Sequence, residues 1–265
     1  MNQLSEKKYW DNVIEKKSVN FGEVSKLPII KNIALGFYNW EFFRICKKYI
    51  KSEYKDAFEV GCAPGNYLIQ FYRFFGLTPR GVEYSKVGVD SIIKNFSLNH
   101  IDASGIVLGD FFDPAFIKEN TEKYDIVYSM GFIEHFDNPQ EAIDNHFHLA
   151  KKGGIVVITL PNLYYLNKYF VEKSFLDIHN LHIMRTDLLA PYFTGREVLE
   201  NRYFGGFFNF GGFIFSNPIL EKLRLVFFVL QRIIIDPILM MLSRIGINLS
   251  NRYTSPSMIV ICRKS

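Results

Sequence analysis

Ala57-Phe58-Glu59-Val60-Gly61-Cys62-Ala63-Pro64-Gly65-Asn66 decides how this chain is read. An apolar strand ends in an acid, and a turn of small residues follows at once. Behind it, Tyr67-Leu68-Ile69-Gln70-Phe71-Tyr72 has the look of a helix start. A tight strand-to-helix turn lets backbone N–H groups approach a ligand closely, because glycine carries no Cβ to block the way. In an open parallel sheet, a nucleotide-like ligand sits outside the carboxyl ends of the strands.

A dinucleotide fingerprint asks for Gly-x-Gly-x-x-Gly. Aligned on Gly61, its second glycine falls on Ala63 and its third on Asn66, so two of three positions fail. A looser pattern, an acid followed by Gly-x-Gly-x-Gly, is met by Glu59, Gly61 and Gly65, with Ala63 the single departure. On these residues the chain resembles the class I S-adenosylmethionine methyltransferases. The resemblance implies Glu59 below the turn near the amino-acid end of the cofactor. It also implies that Gly61, Cys62, Ala63 and Gly65 pass close to its methionine and ribose parts. Ala63 adds a methyl where the backbone must come near, so a slightly wider turn is expected.

Further matches follow in chain order. Arg80-Gly81-Val82-Glu83-Tyr84-Ser85 reads as a short strand ending in an acid. The resemblance implies that the Glu83 carboxylate takes the ribose hydroxyls in a bidentate, charge-assisted contact, with Tyr84 beside it. Ile106-Val107-Leu108-Gly109-Asp110-Phe111 is similar to the third strand of the superfamily. There Gly109 and Asp110 are implied to meet adenine, and Phe111 to cover the ring. An Asx-type turn is the plain alternative for Asp110, and Asp113 before Pro114 suits that role better.

Tyr124 to Met130 is an apolar strand running into Gly131-Phe132-Ile133-Glu134-His135-Phe136. An Ile-Glu-His triplet resembles the fourth strand of small-molecule methyltransferases of the quinone-biosynthesis type, and it implies Met130 in the cofactor envelope. Asp137 or Asn138 is expected to cap a helix with Pro139 in its first turn, and Lys151-Lys152-Gly153-Gly154 to close it. Ile155 to Leu160 is a β-branched run closed by Leu160, as in a central parallel strand. The predicted fold is therefore an α/β, doubly wound, seven-stranded and mostly parallel sheet. Three regions are expected within one domain: an N-terminal helical lid over 1–52, a cofactor core over 53–162, and a substrate-side region over 163–265 that ends in the last strand.

Composition sets the frame. At 265 residues with 48% hydrophobic and 22% charged residues, the chain suits one decorated domain. No secretory signal is read at the N-terminus, and Cys46, Cys62 and Cys262 have no paired spacing, which points to reduced thiols in the cytoplasm. The last quarter, Arg196 to Ser265, holds nine Lys and Arg against four Asp and Glu, while the remainder holds twenty-two against twenty-three. The basic residues are interleaved with aliphatic runs, which argues against nucleic acid as a partner.

Residues 162–215 are rich in Tyr and Phe side chains, which serve either as the filler of an edge strand pair or as stacking surfaces for an acceptor. Residues 218–246 read as a helix apolar all round, which Pro237 should break or kink. A buried helix or homodimer interface and a membrane-surface contact through 213–249 both stay open. The latter would place the protein on the inner membrane face.

A hydroxyl nucleophile that takes a methyl group must lose its proton, and histidine is the natural acceptor near neutral pH. His135, after the fourth strand, is the candidate base; holding a loop is its alternative role. His179 and His182 stand three apart with no third ligand in sequence, so no metal is expected. The reading is S-adenosylmethionine-dependent methyl transfer to a small-molecule acceptor, a hydroxyl of an apolar, lipid-linked or saccharide compound. The alternative is a membrane-associated binding or scaffold protein that keeps the fold without catalysis.

Overall fold

The computed structural model describes residues 3–5, 9–11, 28–213, 215 and 217–265. Seven strands form one sheet: β1 Asp56–Val60, β2 Thr78–Glu83, β3 Ile106–Leu108, β4 Tyr124–Met130, β5 Ala150–Pro161, β6 Glu197–Phe204 and β7 Ser257–Arg263. Their order is β3-β2-β1-β4-β5-β7-β6. The first five run parallel, while β7 is antiparallel to both β5 and β6.

Strand side chains alternate between two faces, and each face has its own core. Phe58, Val127, Val156 and Val260 face one layer with Ile143 and Phe147 of the helix Gln140–Leu149. Ala57, Ile126, Ile155 and Ile261 face the other with Leu68 and Phe71 of the helix Asn66–Phe75 and Ile92 and Phe96 of the helix Lys86–Leu98. In chain order the main helices are α1 Pro28–Lys47, α2 Asn66–Phe75, α3 Lys86–Leu98, α4 Pro114–Asn120, α5 Gln140–Leu149, α6 Pro218–Leu230 and α7 Asp236–Arg244.

The amino end of the sheet is locked by Asp125. Its carboxylate accepts from the N–H groups of Lys55 (2.8 Å) and Asp56 (3.3 Å) and from Lys151 Nζ (2.9 Å). The carboxyl end is left open. There the sheet order reverses between β1 and β4, which makes the crevice where ligands of this architecture bind.

Local chemistry sets the helix starts. Ser85 caps α3 by accepting from Gly88 N at 3.1 Å, and Asp113 caps α4 by accepting from Ala115 N at 2.9 Å. α2 starts without a side-chain cap at Gly65, whose φ of 87° is in the left-handed region.

Three expectations need correction. The Lys151–Gly154 segment is part of β5, which begins at Ala150, so α5 passes directly into strand without a glycine cap. Neither Asp137 nor Asn138 occupies the cap position of α5; Pro139 does, and Asn138 accepts from Gln140 N at 3.1 Å. The aromatic segment contributes one edge strand, β6, together with short helical turns, and not a strand pair.

Part of the expected N-terminal lid, 1–2, 6–8 and 12–27, lies outside the described residues. The carboxyl half of α1 packs into the sheet core through Phe42, Ile45 and Cys46. It is tied to the C-terminal region by Glu41, wholly buried, which accepts from Arg202 Nη2 (2.8 Å), Gly205 N (2.7 Å) and Ser250 Oγ (3.2 Å).

A side chain at Gly65 would be doubly unfavourable, because φ is positive and a Cβ would lie 2.9 Å from Phe96 Cε1 and 3.1 Å from Ile92 Cγ2. Gly65→Ala is expected to cost about 2 kcal/mol and lower the thermal midpoint by about 5 °C, as read by calorimetry.

Candidate active site

A cavity of about 270 Å³ opens at the carboxyl ends of β1, β2 and β4. Gly61, Ala63 and Pro64 form one wall, Glu83 and Tyr84 a second, and Met130, Phe132 and His135 a third. It continues over Gly109, Asp110 and Phe112 into a groove of about 560 Å³, with Tyr84, Gln3 and Phe136 common to both parts. Phe111 borders a small chamber between the two.

Each wall has a local cause. Gly61, at φ 68°, donates its N–H to Val82 O at 3.0 Å and so turns the chain across the top of β2. A Cβ there would meet the Phe132 ring at 3.3 Å, which would narrow the cleft where a ligand must slide in. Glu83 ends β2 with its carboxylate accepting from Ser85 N (2.9 Å) and Ala63 N (3.3 Å). Burial pushes its pKa up, and the N–H donors of Ser85 and Ala63 pull it back. Each carboxylate oxygen accepts one of these bonds and keeps a further lone pair for a ligand hydroxyl.

Asp110 is exposed after β3, and its Oδ1 accepts from Phe112 N at 2.9 Å. The Asx turn is therefore real, and it coexists with a place on the groove wall. Asp113 makes the corresponding bond one turn later, as a helix cap. Phe111 is buried edge-on to Phe132, with centroids 5.6 Å apart, so the floor between the two cavity parts is aromatic.

Three sequence-predicted residues lie behind the cavity, not on its wall. Glu59 is buried beneath the turn, where it accepts from Tyr128 O–H at 3.0 Å and where burial raises its pKa well above the usual range. Cys62 turns its thiol into the sheet core against Gly81. Gly65 is enclosed by α3. These three shape the turn from below, whereas Gly61, Ala63, Glu83, Tyr84, Met130 and His135 face the cavity itself.

His135 is the most constrained polar group on the wall. Its Nδ1 lies 2.8 Å from Ile178 O. A carbonyl only accepts, so Nδ1 carries the hydrogen and Nε2 keeps its lone pair. Burial lowers the His135 pKa to about 4, and the neighbouring His179 adds to the effect. The ring centroids of His135 and His179 are 4.6 Å apart, and His179 Nδ1 bonds Phe175 O at 2.6 Å, which fixes the same tautomer.

Glu134 completes the cluster. It is buried, its Oε2 finds no hydrogen-bond partner among the described residues, and burial raises its pKa to about 8. One ligand-type atom from each of Glu134, His135 and His179 lies within 4.8 Å of the others, a spacing that can hold a cation or share a proton. This differs from the sequence expectation. His182 is exposed on a separate turn, and the partners of His179 come from the far side of the sheet end.

Sequence reasoning missed Gln3 and Trp10, which border the cavity from the N-terminal segment. Leu4 N donates to His135 O at 2.8 Å, and the Trp10 indole meets the His135 ring edge-on at 4.8 Å. A lone Trp in a charged, aperiodic stretch carries no signal for such a role. Phe132 and Phe136 had one available signal, their position flanking the Ile-Glu-His triplet.

The sheet order, the glycine turn and the carboxylate at the end of β2 define the Rossmann-like fold of the class I methyltransferases. The chain belongs to the family whose model, a methyltransferase domain, matches residues 46–199, and its cofactor is S-adenosylmethionine. Among solved structures it shares its fold with Haemonchus contortus phosphoethanolamine N-methyltransferase 2 bound to S-adenosyl-L-methionine. That pair is 15% identical, with 98% of this chain and 59% of the other covered and a TM-score of 0.58. The geranyl diphosphate C-methyltransferase of Streptomyces coelicolor is likewise similar, at 12% identity, with 85% and 76% covered and a TM-score of 0.52. A curated relative, the mitochondrial ubiquinone biosynthesis O-methyltransferase of Dictyostelium discoideum, is 33% identical over 75 residues. The match spans 28% of this chain and 21% of that protein.

Glu134 makes stability depend on pH in a defined direction. Its folded pKa of about 8 exceeds its ordinary value of 4.5, so the folded state holds a proton that the unfolded state releases as pH rises between the two. This cost is absent below pH 4.5 and complete above about 8. Glu134→Gln is therefore expected to gain urea resistance over the parent as pH rises from 5 to 8.5, with the gap smallest at pH 5.

Proposed function

We propose that the chain methylates a hydroxyl oxygen of an apolar, lipid-linked or saccharide acceptor, with His135 as the base. The carrying observation is a neutral imidazole on the cofactor wall that is linked through a row of packed rings to a second chamber. This chamber, of about 650 Å³, is lined by Phe175, Phe213, Phe215, Tyr38 and Arg224. The Phe175 ring, on the wall of that chamber, packs on His179 at 4.4 Å, and His179 packs on His135, so three packed rings connect the two cavity walls.

S-adenosylmethionine supplies a sulfonium-activated methyl group when bound. The chain's own residues then have three tasks. Glu83 accepts ribose hydroxyls and fixes the cofactor in register. Gly109, Asp110 and Phe111 take the adenine, while Cys62, Gly65 and Glu59 hold the turn from behind. The aromatic walls exclude water and hold the acceptor oxygen near the methyl group, where orientation is worth several powers of ten in rate. His135 Nε2 receives the acceptor proton, since Nδ1 is committed to Ile178. The Dictyostelium relative, an O-methyltransferase, favours oxygen. The chamber's aromatic side chains and its Glu221–Arg224 pair favour an acceptor with an apolar body and a polar end.

Radiolabelled methyl transfer from S-adenosylmethionine into hydroxylated quinol, polyprenyl-linked and saccharide acceptors tests the reading; incorporation lost on nitrogen-only analogues supports oxygen. Loss of a positioned base costs about 10²–10⁴ in rate. His135→Gln is expected to show such a fall in kcat with S-adenosylhomocysteine affinity nearly unchanged. Glu83→Ala is expected to weaken that affinity by tenfold or more in calorimetric titration, because charge-assisted bonds are lost; a larger effect at His135 would refute the division of roles.

A base with a pKa of about 4 stays unprotonated far below the ordinary histidine range. The acid limb of kcat/KM is accordingly expected near pH 4, not near 6.5, in a profile measured on the intact enzyme.

A further inference from the structure

α6, a π-helical turn at Gln231–Ile235 and α7 make one continuous rod, Pro218–Arg244, of 27 residues with mean hydropathy 2.1 over its most apolar window. Only 22% of that window is buried against the rest of the chain. The rod is inverted relative to a water-facing helix, which turns polar residues outward.

Its polar side chains point inward. Gln231 is buried and bonds both Phe208 O (3.0 Å) and Phe210 N (3.0 Å). Arg224 pairs with Glu221 and donates to Phe210 O at 3.0 Å, and Arg232 pairs with the buried Asp236 at 3.2 Å. The apolar side chains that face out include Ile219, Val226, Ile233, Ile238 and Met241, between 48% and 68% exposed.

The exposed charges have a simple layout. Lys222 lies near one end of the rod and Arg244 at the other, and every charged side chain between them is half-buried or buried. Both end charges are basic, and the two acids of the rod are neutralised internally. The opposite face is committed to the protein: Leu239 and Met240 pack on Phe37 of α1, and Arg44 Nη1 reaches Ser243 O at 3.3 Å. The rod therefore lies along the molecular surface and offers one long side.

From this geometry we propose that the outward face of Pro218–Arg244 docks in the plane of an anionic lipid surface. Hydrocarbon covers the aliphatic stripe, and Lys222 and Arg244 reach the headgroup phosphates from its two ends. An exposed apolar stripe of this length is characteristic of a surface with a partner. Long basic side chains extend to phosphates while their stems stay apolar. A second copy of the chain is the poorer match, because it would bring the same surplus positive charge against itself. The buried-helix expectation for 218–246 is thereby replaced.

The acceptor chamber adds a link from a separate observation. Glu221 and Arg224, on the inward side of α6, form part of its wall, so its lining and the docking face belong to one helix. The docking itself does not depend on what is methylated.

The test is flotation of the purified full chain with vesicles of phosphatidylcholine and phosphatidylglycerol, 3:1, and of phosphatidylcholine alone. Co-flotation with the anionic vesicles is expected, falling severalfold on neutral vesicles and at high salt. Val226→Glu combined with Ile233→Glu is expected to cut flotation at least tenfold, with S-adenosylhomocysteine binding retained as proof of folding. Lys222→Gln with Arg244→Gln should remove most of the salt dependence and keep the fold. Equal flotation of parent and Glu variant would overturn the proposal. So would a parent that stays in solution as a dimer which the Glu variant splits, since the face would then be a self-association surface. Resistance to alkaline carbonate extraction would overturn the in-plane placement.

Discussion

The site depends on one contact, the Glu83 carboxylate against the turn that follows β1. Glu83 accepts the N–H of Ala63 and thereby binds the end of β2 to the loop of β1. The same side chain needs Gly88 as its neighbour, because a Cβ there would come within 2.8 Å of Glu83 Cγ. Gly88 N in turn bonds the Ser85 cap of α3. Turn, acid and helix start thus fix one another before any ligand arrives. Glu83 serves the ligand with the lone pairs left over, which is why an acid and not an amide suits this place: an amide spends half its atoms as donors.

The strand pattern explains which parts of this were legible in sequence. Apolar runs that end in Glu59, Glu83 and Asp110 located three strand ends, and β-branched content located β5. Reading acids in order could not say which way each points. Glu59 is one residue before the strand end, and period-2 alternation turns it inward to Tyr128, whereas Glu83 is the last residue of β2 and clears the sheet edge. Cys62 and Gly65 were hidden for a related reason. A turn has an inner and an outer side, and sequence spacing does not separate them. Lys151 to Gly154 misled because the cap signal is local, while Asp125 draws Lys151 into the sheet from a distance.

The histidine cluster was half visible. His135 stood out by its position after β4, but its character comes from elements far apart in sequence: the Ile178 carbonyl, the ring of His179 and the indole of Trp10. These remove water from the imidazole, and loss of hydration is what moves its pKa to about 4. A weaker base is a real cost to proton transfer. The geometry offsets it by holding the tautomer fixed, so that Nε2 is always the acceptor and no rotamer search precedes reaction. The Glu134 oxygen beside the pair, without a partner among the described residues, is of the same kind, a polar atom held dry against its preference. Dry polar atoms are costly, and they concentrate where chemistry occurs.

The same reasoning applies to the rod Pro218–Arg244, with the sign reversed. There the anomaly is apolar surface held wet. Composition alone showed a helix apolar on every side, and that pattern fits a buried helix as well as one that meets lipid. Orientation separates the two. A buried helix would bring aliphatic groups to the sheet and send Arg224, Arg232 and Gln231 to solvent, but all three are bonded or paired on the protein side. Polar groups that choose the protein over an accessible outer face are what the proposed lipid contact requires. In an environment that offers no hydrogen bonds, ionisable side chains turn toward the protein and pair there. The inward pairing of Glu221 with Arg224 places charge on the wall of the larger chamber. The proposed exclusion of water from the outer face accounts both for the inverted helix and for an ion pair on the wall of a chamber that also carries aromatic side chains.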